Sequence, residues 1–389
     1  MFTRKRRPVS TWALLSAFFL VSGFPSVGLS QTPSHPSEDI LARFAQRLTD
    51  QVRDGAVGGI TAGVVVGNDL VWAQGFGWAD MEKGIPAGVN TVYRVGSISK
   101  SFTAVTLLQL CEKGLMELDN PVIGVLPELA QLNGPSEGSE QITFRQLASH
   151  TAGLAREPEL PGAASGPMEG WEEKVLASIP TTSFLTRPGE AFSYSNIGFG
   201  ILGYAISRAS DTPFMELVAG SLLRPLGMTS SGFVVTPEIS EHLAVGYQRN
   251  ADGTVDRDTP ALEHIGRGYK IPNGGIYSTV GDLGRFITGL TGAASAPILG
   301  SEGMSMIRVA QTPKGSPEEY SIGFRLWDSP GAPRLVGHGG SVSGYMAFLA
   351  FDPESGIGVI LLSNYHPGTD LLKEPGLGLL RELVASSPL

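Results

Sequence analysis

The chain has 389 residues, 42% hydrophobic and 17% charged, with a formal net charge of −9. That is enough apolar material for a large core in one or two domains, and it excludes an unstructured chain. An acidic surface repels nucleic acid and anionic lipid, which are bound through basic patches, and a single cysteine, Cys111, rules out an internal disulfide or a cysteine-based metal cluster.

Arg4, Lys5, Arg6 and Arg7 precede an apolar run over 12–21 and a small-residue stretch ending Gly28-Leu29-Ser30-Gln31. That order is the pattern of a secretory signal peptide over 1–30, cleaved after Ser30. The apolar run is short for a bilayer span, and no cysteine stands near the cleavage point to carry a lipid. A periplasmic or secreted protein without stable membrane insertion is therefore expected, rather than an anchored one. Loss of those basic residues takes the formal charge from −9 to −13. Residues 31–38 read as a linker and 39–389 as the folded domain.

Ile40, Leu41, Phe44 and Leu48 recur at helical spacing, so a helix is expected over 40–52. Strands over 61–66 and 70–76 follow, joined through Gly67-Asn68-Asp69 as a hairpin. A helix over 98–113 stops at Gly114, with Cys111 on the face of Ala104, Leu107 and Leu108, where a buried, inert thiol is expected. The middle, 115–320, mixes helices such as 199–208 and 282–290 with Pro- and Gly-rich loops. Strands over 344–351 and 357–363 flank the turn Asp352-Pro353-Glu354-Ser355-Gly356, and a helix over 371–384 ends the chain. Hairpins near both ends with helices between them predict one antiparallel sheet built from the two ends, with a helical region inserted.

Three short patterns carry the chemistry: Ser97-Ile98-Ser99-Lys100, Tyr194-Ser195-Asn196 and His338-Gly339-Gly340. A serine opening a helix receives the positive end of the helix dipole, and Lys100 one turn later lies on the same face. A lysine activates such a serine when burial and neighbours lower its pKa. Tyr194 is expected as a second proton shuttle, ionising more easily beside a lysine ammonium. Asn196 is expected to orient Lys100 or the substrate. The glycines beside His338 let a substrate approach the backbone closely. His242, His264 and His366 show no partner pattern, and no metal-ligand spacing or phosphate loop is present, so no cofactor, metal or nucleotide is expected.

With their flanks, 93–104, 187–196 and 337–341, these patterns resemble the serine β-lactamase and penicillin-binding-protein superfamily. The nearest branch is the class C β-lactamase-like one, which includes esterases, D-amino-acid-specific peptidases and DD-peptidases. The resemblance runs from about Leu41 to Asn364 and extends to 147–154, 223–228 and 273–279. It implies a β-lactamase-like α/β (α+β) fold: a central antiparallel sheet flanked by helices, a mainly helical region, and an active site at their junction. It further implies a covalent acyl-enzyme on Ser97, an oxyanion hole from the N–H groups of Ser97 and Ser341, and substrate contacts from Asn196, Gly339, Gly340 and Ser341. His338, expected on a strand across the cleft as a catalytic residue beside Ser97, Lys100 and Tyr194, stands where β-lactam-hydrolysing members usually carry lysine. A neutral histidine offers one hydrogen bond in place of a fixed charge. The expected substrates are therefore small esters first, D-amino-acid or cell-wall peptides second and β-lactams third. A non-catalytic ligand- or peptidoglycan-binding scaffold is the rival, and intact Ser97, Lys100 and Tyr194 argue against it.

Overall fold

The computed structural model of the chain describes residues 36–55, 57–134, 142–292 and 297–387. The expected signal peptide and residues 31–35 of the expected linker lie outside them. The first helix, α1 (Pro36–Gly55), begins inside the stretch expected to be linker. Proline is tolerated at a first helical position, and Glu38 and Asp39 in the first turn complement the helix dipole, so the start precedes the apolar periodicity.

β1 (Gly59–Val66) and β2 (Asp69–Asp80) form the expected hairpin, and β3 (Ile85–Pro86) edges it. β4 (Tyr93–Arg94), β5 (Tyr247–Arg249), β6 (Val255–Asp256) and β7 (Tyr277–Ser278) make short ribbons outside the main sheet. β8 (Arg325–Ser329), β9 (Ala332–Val342), β10 (Tyr345–Asp352) and β11 (Ile357–Ser363) return to it, and β12 (Tyr365–His366) pairs with β5. The seven-stranded sheet runs β3-β2-β1-β11-β10-β9-β8 with every pair antiparallel. The two ends of the chain therefore meet at its centre, where Val64 of β1 stands opposite Val359 of β11.

Every residue of β10 and β11 is buried, because both faces of the sheet are covered. On one face, Ile40, Phe44 and Leu48 of α1 pack with Ile60, Ala62 and Val64 and with the last helix. The other face joins Val65, Leu349, Ile360 and Leu362 to the large core of the helical region. That region is organised around α2 (Ser99–Glu112), α3 (Asn196–Ser210) and α4 (Val280–Thr291), while α5 (Lys373–Ser386) closes the chain.

α2 is the central helix: Ser99 to Leu108 are all buried, so it needs no polar face. A 3-10 turn, Gly96–Ile98, leads into it, and Gly114 ends it with φ +69. Cys111 is half-buried rather than enclosed; burial still pushes its thiol up to about 11, so it is protonated at neutral pH. β9 extends well beyond the strand expected at His338, its Gly337, Gly339 and Gly340 interrupting the alternation by which a strand is read, and the short β8 was not foreseen.

Candidate active site

Ser97 lies in the tight turn before α2, and Gly96, with φ +52, supplies the backbone conformation that brings it there. Lys100 sits in the first turn of α2, fully buried. Its Nζ lies 3.2 Å from Ser97 Oγ, 2.8 Å from Asn196 Oδ1 and 3.3 Å from the Asn273 carbonyl. The amide of Asn196 is oriented by Glu157, whose carboxylate Oε1 accepts from Asn196 Nδ2 at 2.7 Å. Asn196 must therefore present its oxygen to Lys100. Burial, with the nearby cations Arg156, Lys270 and Arg267, holds the Lys100 pKa well below 10.5 against the opposing pull of Glu157. A neutral amine has two N–H donors and one lone pair. In that form, with the two oxygen acceptors taking the donors, the lone pair is the group left for Ser97 Oγ.

Tyr194 directly precedes Ser195, which caps α3 by accepting the Gly198 N–H at 2.9 Å. Tyr194 lines the same cleft as Ser97, and Lys100 Nζ stands 4.8 Å from its ring centre. The expectation of easier ionisation is not met. Burial raises the phenol pKa, and the neighbouring Ser97, Arg325 and Arg156 oppose it only in part. The lysine that was to supply the favourable charge is itself held toward neutrality. Tyr194 is accordingly a protonated acid at rest, and Lys100 is the stronger candidate for the base.

Across the cleft, the β9 backbone closely approaches the Ser97 turn. A side chain at Gly340 would place its Cβ 2.0 Å from the Val95 carbonyl and 3.3 Å from Ser97 N, and one at Gly96 would stand 2.9 Å from Ser341 N. The two N–H groups expected to form an oxyanion hole are neighbours across this contact. Gly339, Gly340 and Ser341 line the cleft together with Ser97 and Tyr194.

His338 is placed differently from the expectation of a substrate contact. It is 1% exposed, its Nε2 is 2.9 Å from the Tyr320 hydroxyl and its Nδ1 is 2.6 Å from the Gly339 carbonyl. Nδ1–H donates to that carbonyl and Nε2 accepts from the phenol, so the ring is neutral with both nitrogens in use. Burial, reinforced by Arg325 and Lys100, keeps its pKa well below 6.5. It braces the strand from behind the cleft.

Two residues without a motif face the cleft instead. Arg325 on β8 pairs with Glu318, and its guanidinium carbon stands 5.5 Å from the Tyr194 ring centre. His366 on β12 lies 2.7 Å, through Nε2, from Ser341 Oγ, while its Nδ1 accepts the Gly368 N–H at 3.1 Å. That tautomer donates to Ser341 Oγ and leaves the serine hydroxyl proton free for another acceptor. Neither residue adjoins the short motifs in sequence; strand pairing brings them in. Glu157 and Asn273 were also missed, though Asn273 lies in one of the segments that carry the resemblance.

The cleft measures about 760 Å³. Among the described residues no cluster of three or more His, Cys, Asp or Glu could hold a metal ion, and no helix is long and apolar enough to cross a membrane.

The chain is 25% identical to the D-alanyl-D-alanine-carboxypeptidase/endopeptidase AmpH of Escherichia coli (strain K12), with 97% of each chain covered. In fold it is similar to a class C beta lactamase (TM-score 0.75, 19% identity, 91% of this chain and 100% of that one). The octameric penicillin-binding protein homologue from Pyrococcus abyssi also shares the fold (TM-score 0.71, 24% identity, 89% and 76%). The family model described as Beta-lactamase matches residues 44–380, nearly the whole described chain, and the protein belongs to that family of serine hydrolases.

Proposed function

We propose that the enzyme hydrolyses amide bonds in short peptides ending in a free carboxylate, through an acyl-enzyme on Ser97. Arg325 carries this reading. It sets a permanent cation on the cleft wall beside Tyr194, one strand from the position where the motif has His338 in place of lysine. The ranking of esters first rested on a missing charge, and Arg325 restores the charge from a neighbouring strand. A substrate carboxylate takes the place of Glu318 on the guanidinium and accepts the free Ser341 hydroxyl proton. The 25% identity to a D-alanyl-D-alanine carboxypeptidase supports the same substrate class.

In the first step Ser97 Oγ attacks the carbonyl carbon while its proton passes to the Lys100 lone pair. The N–H groups of Ser97 and Ser341 stabilise the oxyanion, donors that are worth about 3–4 kcal/mol each in such sites. Tyr194 gives its proton to the departing amine and is reprotonated by the Lys100 ammonium. Water then attacks the ester, Lys100 takes its proton and returns it to the departing Ser97 Oγ, and the acid leaves. Such an enzyme suits the exported location expected for the chain.

Carboxylesterase activity is the second reading, favoured by Leu326 and Trp327 on the cleft wall, which offer apolar surface to an acyl group. The test compares kcat/KM for an N-acyl-D-alanyl-D-alanine peptide, its C-terminal amide, a short p-nitrophenyl ester and a cephalosporin, in wild type and Arg325→Gln. The free-acid peptide should exceed its amide by about tenfold or more, as for hydrogen bonds to charged groups. The variant should lose that preference with ester turnover little changed. Equal rates on acid and amide, with the ester far ahead, would establish the esterase reading instead.

A further inference from the structure

We propose that His150 is the positioning residue for Tyr194, gripping the chain on both sides of the phenol and supporting its ring from below. The segment 147–154 was singled out in the sequence, yet the chemistry above makes no use of it.

Three contacts converge from this one residue on three consecutive ones. The His150 carbonyl accepts the Ser193 N–H at 2.8 Å, and its Nδ1 accepts the Ser195 N–H at 3.0 Å. Its ring packs on the Tyr194 ring with centroids 4.1 Å apart and planes at 34°. Ser195 is also the cap of α3, so the same grip sets the start of the helix whose first residue, Asn196, holds Lys100. Phe192, Phe199 and Tyr320 enclose the imidazole from its other sides.

The arrangement carries two costs that packing alone would not require. His150 has φ +61, one of two non-glycine residues with positive φ among the described residues. Because Nδ1 accepts, the proton sits on Nε2, which is buried without a hydrogen-bond partner. A phenylalanine would fill the same space without that unpartnered N–H. What the imidazole adds is an acceptor placed for Ser195 N–H and a ring kept neutral by its surroundings, where burial and the nearby Lys100, His338, Arg325 and Arg156 all disfavour its charged form.

The inference rests on the role given to Tyr194 in the proposed mechanism, and a double-mutant cycle separates the two. His150→Phe keeps a ring and removes the acceptor. His150→Asn keeps a γ-position acceptor and tolerates the left-handed backbone, but removes the ring. Each is made in wild type and with Tyr194→Phe, folding is checked by thermal melting, and turnover of a D-alanyl p-nitroanilide, whose departing amine needs a proton, is measured. In the wild-type background we expect kcat to fall about tenfold or more with KM within about threefold, and the same changes to cost less than about threefold once Tyr194 is phenylalanine. Folded variants with wild-type kcat, or losses of equal size in both backgrounds, would overturn the positioning role. If Tyr194→Phe alone turns over at the wild-type rate, the shuttle role of Tyr194 fails, and the role of His150 fails with it. Should His150→Phe not fold, the His150→Asn cycle decides.

Discussion

The two walls of the cleft are built on different principles. On the helical wall, Ser97, Lys100, Tyr194 and Asn196 come from two helix starts, and the side chains the motifs predict are those that meet, with Lys100 Nζ within 3.2 Å of both Ser97 Oγ and Asn196 Oδ1. On the strand wall, the motif contributes backbone: Gly340 is there because nothing larger fits against Val95, and His338 turns away to Tyr320. Of the polar side chains on this side of the cleft, Ser341 follows the motif on β9, while Arg325 and His366 belong to other strands. Helical spacing keeps chemistry local in sequence, whereas a sheet gathers it from strands that follow one another only in space.

The sharpest way to break this contrast is to remove its most local element. Lys100→Met should lower turnover by about 10³-fold or more, since the base is lost while most of the side-chain volume remains. The same variant should melt at a higher temperature than wild type at pH 7. Lys100 has a folded-state pKa well below its unfolded value of 10.5, so below pH 10.5 the unfolded chain binds an extra proton and the folded state is disfavoured. The gain should shrink as pH rises toward 10.5. Wild-type turnover in a folded variant would remove Lys100 from the mechanism.

Gly340→Ala probes the strand wall as backbone. Its Cβ would meet the Val95 carbonyl at 2.0 Å, so β9 must move off the Ser97 turn and separate the two N–H donors. We expect kcat to fall about 10²–10³-fold, the range for loss of one oxyanion-hole donor. A fall confined to KM would mean that the contact serves binding alone.

The smallest effect on activity is expected where the family motif suggests the largest. His338→Lys with Gly339→Thr restores the lysine pattern, and position 339 has room, its nearest neighbour lying 3.9 Å from an added Cβ. The ammonium is then buried against Arg325 and Lys100, so Tm should fall by about 5 °C or more, and the preference for a carboxylate substrate should stay as in wild type. A large rise in that preference would return His338 to the substrate-binding wall.

Much of the fold was legible because its signals are local. The β1–β2 hairpin, the β10–β11 pair and the helices around 40–52, 98–113, 199–208 and 282–290 each show periodicity or turn residues, and the antiparallel sheet from the two chain ends followed from them. The α1 start was missed because Pro36 and Glu38 look like turn residues until the dipole and proline rules are applied at a helix start. Only the part of β9 around His338 was read as strand, because glycines needed for close approach erase its alternation, and the five residues of β8 were not read at all. In the site, the Ser97–Lys100 pair could be read from one helical turn. The inward turn of His338 could not, since it depends on the Tyr320 hydroxyl 18 positions earlier in the chain. Nor could the ionisation of Tyr194, which burial decides.

The claim on which the rest depends is that a buried, neutral Lys100 is the base for Ser97. The direct measurement is the pH dependence of kcat/KM for an uncharged p-nitrophenyl ester, which reports the free enzyme's essential base. Activity should rise along a single acid limb lying well below 10.5 and hold a plateau above it, because burial and the neighbouring cations disfavour the lysine's charged form. A rate that keeps climbing through pH 9 toward 10.5, as for an ordinary lysine, would contradict it.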